Sequence, residues 1–179
     1  KNYSLHGGLS FNPDPMELGI DQSHLVSMDM DDSRRILFDS CQELAQYARE
    51  KKVRLLLENN VVAGFNCPDG VNTRYHLSDL NESIHLLHLF NHPNIGILLD
   101  TGHLKVSAQT LDFNPIEFIK RFHDQIKVVQ ISENDGTADQ NLPVRDDSWF
   151  WSHISWDQVD YVSLEVSGLS LGALLKQIE

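Results

Sequence analysis

Cysteine is nearly missing from this chain: Cys41 and Cys67 are the only two in 179 residues, and they do not form a CxxC pair. That excludes a disulfide-built scaffold and a thiolate metal cluster. It suits a reducing, cytoplasmic setting with Cys41 as a buried thiol on an amphipathic helix. Long apolar runs are lacking too. None approaches the roughly 20 residues needed to cross a bilayer, and no signal-peptide pattern opens the chain, so no membrane partner is expected. Lys1 stands where Met would begin a chain, which reads as a cut terminus. Basic residues are scarce, 14 Lys and Arg against 26 Asp and Glu, for a formal charge of −12. Nucleic acid, whose phosphates must be met by cations, is therefore not an expected partner. The local basic group Arg49, Lys51 and Lys52 falls at a helix end, where cations favour the helix dipole.

What is present is a hydrophobic content of 41%, ordinary for a globular protein and enough for one core, so residues 1–179 are expected to form one domain. Three short apolar runs each break off at an acid: Val53 to Glu58, Ile95 to Asp100 and Tyr161 to Glu165. Such runs read as strands buried on both faces, the mark of a parallel sheet. Tyr3 to His6 and Ile126 to Gln130 fit the pattern with other polar endings. Acids at the C-terminal ends of parallel strands converge on one rim, where α/β folds place their active sites. Carboxylates, an imidazole and an amide at one rim suggest a divalent-metal site.

Between these runs the spacing predicts helices. One is capped by Asp32 or Ser33 and runs to about Lys52, with Ile36, Leu37, Ser40, Leu44, Tyr47 and Ala48 on its apolar face. Ser78 opens another, with Glu82 in its first turn and Pro93 at its close; a third begins near Asn114-Pro115 and the last at about Ser170. The loops after the strands are long and polar. Strand alternating with helix implies βαβ units. Glu58-Asn59-Asn60 reads either as a ligand group or as a carboxylate capping its own turn. In Asp100-Thr101-Gly102-His103, the Gly would let the backbone turn sharply so that acid and imidazole face one ion; the bland reading is a turn with a surface His. His85, His88 and His92 read as helix-surface or helix-end residues, whereas His24 and His76 lie in loops over the rim and could touch a substrate. Trp149, Phe150, Trp151 and Trp156 could line a sugar site or pack as a helix or subunit contact.

Taken in order, His6-Gly7-Gly8, Leu57-Glu58-Asn59, Leu99-Asp100-Thr101-Gly102-His103, Gln130-Ile131-Ser132-Glu133-Asn134-Asp135-Gly136 followed by Asp139 and Leu142-Pro143, and Leu164-Glu165 resemble the strand-ending motifs of the xylose-isomerase-like TIM barrels. That group includes sugar-phosphate isomerases and epimerases and the type IV apurinic endonucleases. The resemblance implies an α/β fold, a TIM-type (β/α) barrel. Its match starts at a motif near the third strand, so the first two βα units are expected to be absent and the chain to be the C-terminal portion of an eight-unit barrel of about 250 residues. It further implies Glu58, Asp100, Gln130 and Glu165 as metal ligands. Glu58 and Glu165 would be the catalytic pair, exchanging a proton next to a metal-polarised carbonyl. His6, His103 and Asn59 are implied at the substrate, and His103 with Asp139 at a second metal.

Two positions depart from the pattern: Gln130 and Asn141 stand where the family has His. An amide oxygen suits a hard cation, so Mn²⁺ or Mg²⁺ is expected before Zn²⁺, and trinuclear-zinc nuclease chemistry is disfavoured. The resulting expectation is a metal-dependent isomerase or epimerase of a small sugar or keto-sugar. The rival is a non-catalytic barrel with a degenerate metal site, and an apurinic-site hydrolase is the least favoured. A homo-oligomer is left open.

Overall fold

Strands β1 (Asn2–His6), β2 (Arg54–Glu58), β3 (Ile95–Asp100), β4 (Ile126–Ile131) and β5 (Tyr161–Leu164) pair in chain order, every pair parallel. The computed structural model describes residues 1–17, 20–67, 69–86 and 91–177. Helices follow the strands: α1 (Met30–Glu50), α2 (Leu80–His85), α3 (Thr101–Thr110), α4 (Pro115–Phe122) and α5 (Leu171–Leu175).

The pleat sorts the apolar side chains. Leu55, Leu57, Ile97, Leu99, Val129 and Ile131 point to the face that packs on Cys41, Ala45, Leu104, Phe118 and Phe122 of the helices. The alternate residues Leu56, Leu98 and Val128 form a separate cluster on the other face. A parallel sheet with helices outside and a layer of branched side chains inside is half of a β/α barrel. Double-sided burial holds for β2 and β3. It fails at the ends: β1 and β5 are edge strands among the described residues, and Tyr3, Tyr161 and Val162 are exposed.

Helix boundaries follow local chemistry. Asp29, not Asp32 or Ser33, caps α1 by accepting from the Asp31 and Asp32 amides. The buried face of α1 is Ser33, Cys41 and Ala45, with Leu37 packed against the core; Ile36, Leu44 and Tyr47, expected to face inward, are exposed. Asp79 rather than Ser78 caps α2. Residues 87–90, His88 among them, lie between α2 and the expected close at Pro93 and are outside the described residues. Asn114 caps α4 with Pro115 at its first position, and Ser170 caps α5. Helix α3 follows β3 with no loop at all, and no helix was expected there. Asp100 itself is its cap, accepting from the His103 amide at 2.7 Å.

The loops after β1 and β2 are zipped together. Leu9 bridges Tyr75 antiparallel, His76 N–H donates to the Gly8 carbonyl at 3.0 Å, and Ser10 N–H donates to the Arg74 carbonyl at 2.8 Å. Gly7 makes this crossing possible, because a Cβ there would lie 2.7 Å from Leu77 Cβ and 3.0 Å from the Glu58 carbonyl oxygen. Beneath the crossing lies a buried relay: Ser33 Oγ meets His76 Nε2, while His76 Nδ1 lies 2.9 Å from Glu82 Oε1, whose other oxygen accepts from the Leu77 amide at 2.6 Å. His76, expected as a rim residue over the substrate, is fully buried in this relay.

Candidate active site

The strand register brings the five strand-end residues onto one face. His6 is paired with Glu58, Asp100 with Gln130, and Gln130 with Ser163, two residues before Glu165. Side chains alternate along a strand, so His6, Glu58, Asp100, Gln130 and Glu165 all share the inner face of Leu56, Leu98 and Val128. Helix α3 then turns His103 back over this rim. His103 Nδ1 donates to the Asn59 carbonyl at 2.8 Å, since a carbonyl can only accept, which leaves Nε2 facing Asp139 Oδ2 at 3.3 Å. Nδ1 also lies 3.7 Å from Glu58 Oε1, and the His6 and His103 rings stack with centroids 5.9 Å apart. Ligand-capable atoms of His6, Glu58 and His103 come within 4.8 Å of one another.

Gly102 sits in the first turn of α3 rather than at a sharp bend. It is needed for approach: a Cβ there would collide with Ser132 Oγ and lie 3.2 Å from Asn134 Nδ2. Asn59, expected at the substrate, is buried and holds Asp100 instead: its Nδ2 donates to the Asp100 carbonyl at 3.0 Å and its Oδ1 accepts from the Asp100 amide at 2.7 Å.

Charge is concentrated here at low exposure. Burial pushes the Asp100 carboxyl up to about 7; the adjacent Glu165 carboxylate adds to the rise, and His103 opposes it. Burial likewise raises Glu58, with His6 and His103 pulling it back. Burial works against a charge on His103, but Asp100, Asp139 and the Asn59 carbonyl outweigh it and raise the imidazole to about 10. Asp100 Oδ2, Asp139 Oδ1 and Glu165 Oε2 are buried with no hydrogen-bond partner among the described residues. Unpartnered carboxylate oxygens beside the close group of His6, Glu58 and His103 are what a divalent cation satisfies, so this donor set fits one. Gln130 is half-buried beside Asp100.

Over the rim opens a cavity of about 440 Å³, within the roughly 300–1,000 Å³ typical of small-molecule sites. His6, Glu58, His103, Asp139 and Glu165 line one end. Leu9, Phe11, Val61, Ala63, Phe65 and Tyr75 line the other. No local pattern marks that aromatic end, because its residues come from loops without periodicity. Trp149, Phe150, Trp151 and Trp156 do not line the cavity. Their rings pack on one another with centroids 4.8–5.9 Å apart, and Phe150 is fully buried in the core. His24 and His85 are exposed and away from it.

The sequence profile described as xylose isomerase-like TIM barrel matches residues 8–164, most of the chain. The chain belongs to that family. Among solved structures it is similar to a D-tagatose 3-epimerase-like protein (TM-score 0.65, 17% identity, covering 99% of this chain and 62% of that one). It is also similar to a 3-keto-D-glucoside 4-epimerase from E. coli (0.64, 14%, 98% and 60%). An AP endonuclease of family 2 from Brucella melitensis matches at TM-score 0.56 and 18% identity, with 93% and 56% covered. The chain thus spans about three fifths of the length of these structures. No curated protein matches it. At such identities the likeness establishes the fold, with sugar epimerases among the neighbours; the chemistry has to be argued from the site. No helix of the described residues is long and apolar enough to cross a membrane.

Proposed function

We propose that the protein is a divalent-metal-dependent isomerase or epimerase of a small sugar or keto-sugar. The observation that carries this reading is the close grouping of Glu58 with His6 and His103, with the buried, unpartnered oxygens of Asp100 and Glu165 nearby, at a ligand-sized cavity that Glu58 and Glu165 line. Glu58, Asp100, Glu165 and the Gln130 amide oxygen would hold the cation, Mn²⁺ or Mg²⁺ before Zn²⁺; His6 and the Asp139–His103 pair stand at its edge. Bound there, the metal polarises the substrate carbonyl and so acidifies the adjacent C–H.

The chain's own groups do the rest. Glu58 and Glu165 both line the cavity. One carboxylate takes the proton from the carbon next to the carbonyl, leaving the electron pair as an enediolate, and the other returns a proton to the opposite face. Burial that raises Glu58 makes it a better base near neutral pH than a solvated carboxylate. His103, with Nδ1–H on the Asn59 carbonyl and Nε2 on Asp139, would set a positive charge beside the substrate oxygens. Substrate polar groups would replace water at the rim, and the apolar end of the cavity would exclude it.

The test is wash-in of solvent deuterium at the carbon next to the carbonyl, followed by NMR on the Mn²⁺-loaded protein with ketose and aldose substrates. Exchange that falls at least about 100-fold in Glu58→Gln or Glu165→Gln is expected, in line with the typical contribution of a general base. No exchange with any sugar would turn the reading toward the non-catalytic barrel.

A further inference from the structure

The end of the cavity far from the carboxylates carries an inference about what the substrate bears. Phe11, Tyr75 and Phe65 form its wall. Phe11 and Tyr75 are nine-tenths or more buried and meet edge to face with centroids 5.4 Å apart. Arg74 lies over the Phe11 ring, 4.3 Å from its centroid, and is tied down by Ser27 Oγ at 2.9 Å and the Leu25 carbonyl at 3.0 Å. Phe11 and Tyr75 therefore stand on two loops whose backbones pair with each other. Phe65 lies at the mouth, 44% exposed, a large apolar ring left in water.

Asparagine side chains at this end are already committed. Asn60 Nδ2 donates to the Gly8 and His76 carbonyls, and Asn66 accepts from the Gln22 amide and donates to the Ile20 carbonyl. Tyr75 Oη is buried with no hydrogen-bond partner among the described residues. No Lys or Arg of the described residues lines the cavity. Lys105, on the same helix as His103, is bound by Glu133 at 2.7 Å and by the Asn134 carbonyl. A phosphate or carboxylate here would meet no cation, and Glu58, Asp139 and Glu165 at the other end would repel it.

We infer that this aromatic wall is a subsite for an uncharged, apolar substituent of the sugar, the aglycone of a glycoside, and that phosphorylated sugars are rejected. This rests on the proposed function, since it assumes that the sugar ring sits at the carboxylate end. Aromatic side chains contribute through face contact with an apolar group, and the Tyr75 hydroxyl supplies one donor for a glycosidic or ring oxygen.

Calorimetry on the Mn²⁺-loaded protein separates the claims, using methyl and phenyl 3-keto-β-D-glucoside, D-fructose and D-fructose 6-phosphate as probes. The phenyl glycoside should bind at least tenfold tighter than the methyl one. Fructose 6-phosphate should bind more weakly than fructose. Phe65→Ala, a change at an exposed position that leaves the core intact, should abolish most of the phenyl preference. Equal binding of phenyl and methyl glycosides, a phenyl preference that survives Phe65→Ala, or tighter binding of the phosphate would overturn the inference while the isomerase reading stands. Binding of none of the four probes would overturn both.

Discussion

Asn59 clamps Asp100 from both sides of one peptide segment: its amide group donates to the Asp100 carbonyl at 3.0 Å, and its oxygen accepts the Asp100 N–H at 2.7 Å. The side chain thus acts as an extra rung between the ends of β2 and β3. The Asn59 main-chain carbonyl, in turn, accepts the His103 Nδ1–H. Replacing the side chain takes the acceptor from the buried Asp100 N–H, so Asn59→Ala should lose about 1–3 kcal/mol of stability. Urea unfolding of the two proteins checks this; a loss under about 0.5 kcal/mol, the scatter of ordinary surface substitutions, would mean the clamp is incidental.

Metal should stabilise the intact protein, because the orphaned carboxylates repel one another until a cation neutralises them. At a free concentration 100 times Kd, linkage gives about 2.7 kcal/mol. Thermal melts with and without Mn²⁺ should show the gain in the wild type and little of it in Glu58→Gln and Asp100→Asn. The same gain in all three would remove these residues from the site.

Gln130 divides an active metal centre from a decayed one. It pairs with Asp100 across β3 and β4 on the inner face. Gln130→His should therefore raise Zn²⁺ or Mn²⁺ affinity by roughly tenfold or more, at least the size of an effect transmitted through a ligand's supporting partner. Titration calorimetry reads this directly. Absence of binding in both proteins would favour the non-catalytic barrel.

The metal-free protein should lose stability between about pH 7 and 10. His103 is raised to about 10 in the fold, whereas an unfolded His titrates near 6.5, so across that window the native state holds a proton that the unfolded state has released. The stabilisation is complete below the unfolded value and fades as pH rises through the folded one. Asp100, raised to about 7, adds an earlier loss of the same sign between about pH 4 and 7. Urea midpoints measured from pH 6 to 10 should fall for the wild type and fall less for His103→Gln. Parallel curves would show that the imidazole is not held charged.

The alternation of short apolar runs with helical spacing, and the polar residue closing each run, sufficed to identify a parallel β/α sheet and to set Glu58, Asp100, Gln130 and Glu165 at one rim; their part as metal ligands was implied by the family resemblance. These are local signals: a strand buried on both faces has to be apolar throughout, and a polar residue at its end marks the rim. Parity then follows from the register of the ladder, which a single strand does not reveal. Tertiary structure alone decided the rest. The burial of His76, the packing of the tryptophans and the task of Asn59 depend on contacts between segments far apart in sequence. So does the aromatic wall, assembled where Leu9 meets Tyr75 across 66 positions. Helix α3 escaped notice because Asp100 both ends a strand and caps a helix, leaving no loop to announce it. Gly102 carried no mark of its purpose either. Its need for close approach exists only once Ser132 and Asn134 are folded against it.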